Sequence, residues 1–354
     1  MSSSIEYKKL GASGLAISPI IVGCMSYGKK FWADWVMEDE EQIFKILKKC
    51  YDSGIRTFDT ADLYSNGHSE VILGKFLKKY NIPREKVVIL TKCFCLIDTN
   101  IPDLNIETQY NYPSYEFVHN QGLSRKHIFD AVKGSVERLG TYIDVLQIHR
   151  LDEETPKAEI MRALHDVVSS GDVRYIGASS MRAADFVELQ FIADKNGWTK
   201  FISMQNFYNL IYREEEREMI PFCNDNSLGK VGLIPWSPIA RGLLARPLGV
   251  ESNHNRSADT DLAFEFFGLA NLTEADKEII KRVEEVAKKH EVSMAVISSA
   301  WVLSKGAFPI IGLNSEARVD DALNSLTVKL TDEEVAYLEE PYKPKPVYGF
   351  QHFK

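Results

Sequence analysis

TFDTADLYSNGHSEVILGKFLKKYNIPREKVVILTK, residues 57–92, contains one full round of a repeating plan. A short run, Thr57 to Thr60, gives way to a polar stretch, and apolar residues then recur at helical spacing over Ser69–Tyr80. Beyond Pro83 comes Val87–Lys92, a near-continuous apolar run. Short apolar runs of this kind suit strands covered on both faces. A helix-period segment between two of them reads as the crossover of a parallel pair.

The same plan extends through the chain. Strand-like runs lie at Pro19–Met25, Thr57–Thr60, Val87–Lys92, Asp144–His149, Arg174–Ser179, Phe201–Gln205, Gly232–Trp236 and Phe308–Leu313. Helical spacing fills Asp39–Ser53, Ser69–Tyr80, Ser124–Leu139, Lys157–Ser170, Ala183–Asn196, Arg213–Asn224, Val292–Ser304 and Ser315–Leu326. Eight alternating units point to a closed α/β (β/α)8 TIM barrel rather than an open doubly wound sheet. The remaining pieces fit around it. Tyr7–Ile17, with Gly11 to Gly14 at its turn, reads as an N-terminal β-hairpin able to plug one barrel end. Thr273–His290 and Thr331–Leu338 read as extra helices with threonine caps. No linker interrupts residues 1–354, which read as a single domain. The irregular segment Cys95–Leu123 carries Tyr110, Tyr112, Tyr115 and Phe117, a length expected of a functional lid or a disordered loop.

With 45% hydrophobic and 26% charged residues, the 354-residue chain can bury a large core. A formal net charge of −8 without a basic tract argues against nucleic acid as a partner. Neither MSSSIEYKKLGASG nor QHFK at the end reads as a targeting or lipidation signal, and no apolar run reaches the length of a membrane span. The cytoplasm is the expected location. The five cysteines, Cys24, Cys50, Cys93, Cys95 and Cys223, include no CxxC pair, so neither a disulfide framework nor a metal site is expected. Cys93 and Cys95 read as two packed thiols. KRVEEVAKKHE, Lys281–Glu291, reads as a solvated helix face.

In a (β/α)8 barrel the chemistry sits at the C-terminal ends of the strands. Asp59 and Lys92 end the second and third runs, His149 ends the fourth, and Tyr64 lies in the loop after Asp59. Reducing a carbonyl requires a proton for the developing alkoxide. A tyrosine near pKa 10 can supply it if a lysine cation stabilises the tyrosinate and so lowers the phenol's pKa. Asp59 would keep that lysine charged, and His149 would orient the carbonyl oxygen.

With FDTADLY, the strand-end Lys92, QIHRLD, GASS, MQNFYN, PWSPIARGLL and IIGLNSEARVDDAL in this order, the chain resembles the aldo-keto reductase superfamily over nearly its whole length. The resemblance implies that Asp59, Tyr64, Lys92 and His149 form the catalytic tetrad, with Tyr64 as general acid. It also implies an extended nicotinamide dinucleotide, where neither GxGxxG nor GxxxxGK[ST] is present to offer another route. Ser179, Ser180 and Gln205 match positions that hold the carboxamide, and Trp236 matches the ring that stacks on nicotinamide. Ser237–Leu243, including Ile239, Arg241 and Gly242, matches the pyrophosphate loop. Asn314 and Arg318 match positions near the adenosine 2′-phosphate, which favours NADPH/NADP+ over NADH, and Gly312 and Asp321 count with them as cofactor-binding positions. Ser180 stands where many members have asparagine, Gly312 where one branch has lysine, and Ala322 where asparagine often meets the adenine.

GASS, PWSPIARGLL and the long loop make the chain similar to fungal aryl-alcohol dehydrogenase-like members. The expected activity is NADPH-dependent, reversible reduction of aldehydes and ketones to alcohols. Phe31, Trp32 and Trp35, after the first strand, read either as packing or as a pocket for a small aromatic or apolar carbonyl or alcohol substrate. The alternative is a slowly turning, regulatory nicotinamide-binding subunit, similar to the β-subunits of potassium channels. The sequence does not indicate an oligomeric state.

Overall fold

The computed structural model describes residues 5–105, 107–250 and 263–350. The terminal stretches MSSS and QHFK, and Ile106 of the long loop, lie outside the described residues. A hairpin of β1 (Lys8–Lys9) and β2 (Ala16–Ile17) comes first. Eight parallel strands follow: β3 (Ile21–Gly23), β4 (Thr57–Asp59), β5 (Val88–Cys93), β6 (Ile143–Ile148), β7 (Val173–Ser179), β8 (Phe201–Gln205), β9 (Gly232–Leu233) and β10 (Ile310–Gly312). They pair in sequence order, with β10 beside β3. The Phe308 N–H donates to Leu233 O and the Ile310 N–H to Pro235 O, both at 2.9 Å, which closes the ring. The seam is irregular. Pro235 has no N–H to give the ladder, so β9 stops short of the expected Trp236, which rejoins through single bridges to Phe207 and Ile310.

The expected helices form with ends shifted by a residue or two, fixed by caps. Asp39 accepts from Glu41 N and Gln42 N at the start of Glu40–Asp52, and Ser315 accepts from Arg318 N at the start of Glu316–Ser325. Thr273 and Thr331 open the two extra helices through capping boxes with Asp276 and Glu334. One expectation fails. Arg213–Asn224 is not one helix but a 3-10 turn, Glu214–Glu216, and a short helix, Met219–Asn224. Pro221 would break the ladder of a continuous helix, whereas in the first turn of the short one its missing N–H is harmless. The charges of Lys281–Glu291 lie on an exposed face, with Lys288 paired to Glu284 and Lys281 near Glu285. No helix among the described residues is long and apolar enough to cross a membrane.

Inside the barrel, the end where the strands begin is apolar. Leu10, Ile17, Ile21, Leu90, Val145, Ile234 and Ile310 pack there as one cluster, so the hairpin does plug this end. The plug fits closely. Ala12 N–H donates to Lys230 O at 2.7 Å, and Gly11, at φ +60°, lies where a Cβ would meet Lys230 O at 2.5 Å.

Candidate active site

At the other end the same strands turn polar. Asp59 is the last residue of β4, and Lys92, Gln147 and Gln205 lie near the ends of β5, β6 and β8; all four are buried. Isolated charges there would cost several kcal/mol each, so the partners decide whether the arrangement is tenable. Lys92 Nζ donates to Asp59 Oδ2 (2.6 Å), Thr60 O (2.8 Å) and Tyr64 Oη (3.2 Å), engaging all three ammonium hydrogens. Asp59 Oδ1 accepts from the amides of Gln147 and Gln205, each at 2.9 Å. Gln205 also donates to Gln147 Oε1 at 2.8 Å. Gly177 leaves room for this ladder, because a Cβ would lie 2.4 Å from Ser203 Oγ and 3.1 Å from Gln147 Cγ.

Tyr64 reaches the ladder from a tight loop. Ser65, Asn66 and Gly67 all take positive φ, and Asn66 anchors them by donating to Asp98 O and Ile101 O at 2.8 and 2.9 Å. Burial raises the Tyr64 phenol above its ordinary value. Lys92 pulls it down, Asp59 pushes it up, and Arg150 pulls it down more weakly. The sequence reading expected a net lowering by Lys92, and the enclosure of the phenol outweighs it. Burial acts to neutralise the Lys92 ammonium, but Asp59 and Tyr64 hold it above its ordinary value, so it stays a cation. The His149 ring meets Tyr64 edge-on at 5.9 Å, and Cys95 Sγ lies 4.0 Å from His149 Nδ1. Burial pushes the Cys95 thiol up to about 12, so it remains S–H, while Cys93 is fully packed.

Tyr64, Asp59 and His149 open onto a cavity of about 1480 Å³. Phe31, Trp32 and Trp35 line it, with Trp32 6.0 Å from Tyr64 and 5.6 Å from Trp35, so these aromatics form a wall rather than only packing. Asn105 and Glu107 of the long loop also border it, and Asn105 donates to Phe31 O at 3.0 Å.

The cavity continues past β9 and β10. Of the residues expected at a dinucleotide, Ser179, Gln205, Trp236, Ser237, Ile239, Arg241, Gly242, Gly312, Asn314, Arg318 and Asp321 line it, as does Ala322. Two do not. Ser180 is buried behind Trp236, whose Nε1–H donates to its Oγ at 3.1 Å, and Leu243, partly buried, packs against the core. Both amide hydrogens of Gln205 are engaged in the ladder, which leaves its carbonyl oxygen to offer. Ser237, Ala240, Arg241 and Gly242 all have positive φ, a bent loop of the kind that marks ligand clamps. Burial lowers Arg318, with Arg246 pushing the same way and Asp321 opposing. Two arginines facing one space fit the phosphates of a dinucleotide, and the buried Asn314 Oδ1, an acceptor without a hydrogen-bond partner, fits a hydroxyl or amino donor of the same ligand.

Gln147, Arg150 and Arg246 escaped the sequence reading. Gln147 had a usable signal, since it lies two residues before His149 and therefore on the same strand face. Arg246 lies just beyond the Ser237–Leu243 loop, and Arg150 directly follows His149.

This arrangement is a barrel that holds a buried cation against a phenol at the mouth of a large cavity, and comparison identifies its class. Residues 19–343 match the model of the aldo/keto reductase family. A candidate aryl-alcohol dehydrogenase of Saccharomyces cerevisiae is 58% identical over 96% of this chain and 98% of its own length. The versiconal hemiacetal acetate reductase of Aspergillus parasiticus is 54% identical over 97% and 99%, and an aldo-keto reductase of Alternaria alternata is 47% identical over 98% and 94%. The chain belongs to the aldo/keto reductase family, close to fungal aryl-alcohol dehydrogenase-like members. It is an oxidoreductase.

Proposed function

We propose that this chain reduces aldehydes and ketones to alcohols with NADPH, reversibly, as one cytoplasmic domain acting on small aromatic or apolar carbonyl compounds. The observation that carries the reading is Lys92, buried between Asp59 and Tyr64 with every donor engaged. When bound, NADPH supplies the hydride. Ser179, Gln205, Trp236, the Ser237–Gly242 loop, Asn314, Arg246 and Arg318 would hold it. His149 orients the carbonyl oxygen, Tyr64 gives that oxygen its proton, and Lys92 stabilises the tyrosinate that remains until solvent reprotonates it. Asp59 keeps Lys92 charged, and Gln147 and Gln205 keep Asp59 aimed at it. Trp32 and Trp35 favour a flat apolar substrate.

The test is NADPH oxidation over a panel of aromatic aldehydes, with NADPH binding followed by fluorescence. Steady turnover well above background supports the enzyme reading. Tight NADPH binding without turnover favours the regulatory-subunit alternative.

A further inference from the structure

Three arginines with little exposed surface have carboxylate partners. Arg84 pairs with Asp144 at 2.6 Å, Arg138 with Glu70 at 2.7 Å and Arg213 with Glu216 at 2.7 Å. Arg150 differs from these three. It lines the cavity immediately after His149, and its guanidinium donates to the His149 carbonyl at 2.6 Å. Among the described residues, no carboxylate lies within ion-pair distance of it. Of the acids that line the cavity, Glu38 accepts from Lys30 N and Asp39 caps a helix.

A guanidinium withdrawn from bulk water without a counter-charge is costly, and its remaining fork of N–H donors matches the two oxygens of a carboxylate. Arg241, Arg246 and Arg318 line the cavity by the bent loop and after β10, where the proposed function has them meet the dinucleotide. Arg150 instead directly follows His149, whose ring meets Tyr64, and its charge acts on the Tyr64 phenol. We propose that Arg150 anchors an anionic group of the substrate, so that the preferred substrates are carbonyl compounds carrying a carboxylate on the aromatic or apolar body held by Trp32. This rests on the reductase reading and narrows its substrate class.

The experiment uses the NADPH-loaded protein with 2-, 3- and 4-carboxybenzaldehyde, each beside its methyl ester, because the three isomers place the anion at different distances from the carbonyl. At least one acid should exceed its ester in kcat/KM by about tenfold or more. Arg150→Met should lower that value for the acid by about ten- to a hundredfold, as expected for a lost charge-assisted bond, and lower the ester's much less. Arg150→Lys should recover part of the difference. If no acid exceeds its ester by more than about twofold, or if Arg150→Met lowers acid and ester equally, the proposal is overturned. If no aldehyde is turned over at all, the reductase reading has failed, and Arg150 is then judged by benzoate against benzamide binding to the NADPH complex. Benzoate binding that depends on Arg150 keeps the anion site, and equal binding of the two ligands removes it.

Discussion

The two ends of the barrel interior are built from the same strands by opposite means. Where the strands begin, Leu90 and Val145 join Ile21, Ile234, Ile310 and the hairpin's Leu10 and Ile17 in a dry apolar cluster. One pleat further along, Lys92 replaces Leu90 and Gln147 replaces Val145 on the same inward face, and the filling becomes an ion pair bridged by amides. The apolar end gains stability from burial. The polar end pays for burying charges and in return holds a cation against a phenol. Stability and chemistry are thus separated by about 7 Å along each strand, two residues at the rise of a β-strand.

Exchanging groups at either end should break this separation in different ways. Lys92→Met has the largest expected effect, because it removes the cation and leaves Asp59 buried and unpaired. Reduction should fall by a hundredfold or more, and unfolding by denaturant should show a loss of about 3–5 kcal/mol. The pH profile sharpens the point. Lys92 lowers the phenol's pKa, so in the variant the pH at which reduction declines, as Tyr64 loses its proton, should move upward, and the rise of alcohol oxidation should move upward with it. An unmoved profile would take Lys92 out of the proton chemistry. Leu90→Ala, at the dry end, should cost about 2–5 kcal/mol in denaturant unfolding while leaving kcat/KM of the folded protein within about twofold. A loss of rate comparable to that of the Lys92 variant would mean that the two ends are coupled.

Much of this plan is legible from the sequence because strands buried on both faces leave near-continuous apolar runs, and a charged residue closing such a run stands out. Asp59, Lys92 and His149 are visible for that reason. Gln147 is harder to see, since a neutral amide in DVLQIH resembles any tolerated polar residue until its partners are known. The net direction of the Tyr64 shift depends on how completely the phenol is enclosed, which a linear sequence does not encode. Ser180 occupies a position that in the family holds the carboxamide, yet the Trp236 indole takes it out of the cavity. The break in Arg213–Asn224 was signalled by Pro221, but Glu214 is buried there by contacts with Tyr342 and Lys345, more than a hundred residues away.

A smaller effect is expected at the rim of the polar end. Arg318→Ala should weaken NADPH by about ten- to a hundredfold, the size of one charge-assisted bond of about 1.5–3 kcal/mol, and leave NADH nearly unchanged. The ratio of the two dissociation constants, in parent and variant, is the measurement. Equal weakening of both cofactors would make Arg318 a structural residue, and preference for the phosphorylated cofactor would then have to come from Arg246.

The most direct measurement concerns Tyr64→Phe, which removes one oxygen from the polar end and nothing from the packing around it. NADPH oxidation with an aromatic aldehyde should fall by about a hundred- to ten-thousandfold, the usual worth of a general acid, while the NADPH dissociation constant from fluorescence stays within about threefold of the parent. Reduction at the parent rate, with cofactor affinity unchanged, would show that the proton comes from another group and that the buried Asp59–Lys92 pair serves some purpose other than delivering it.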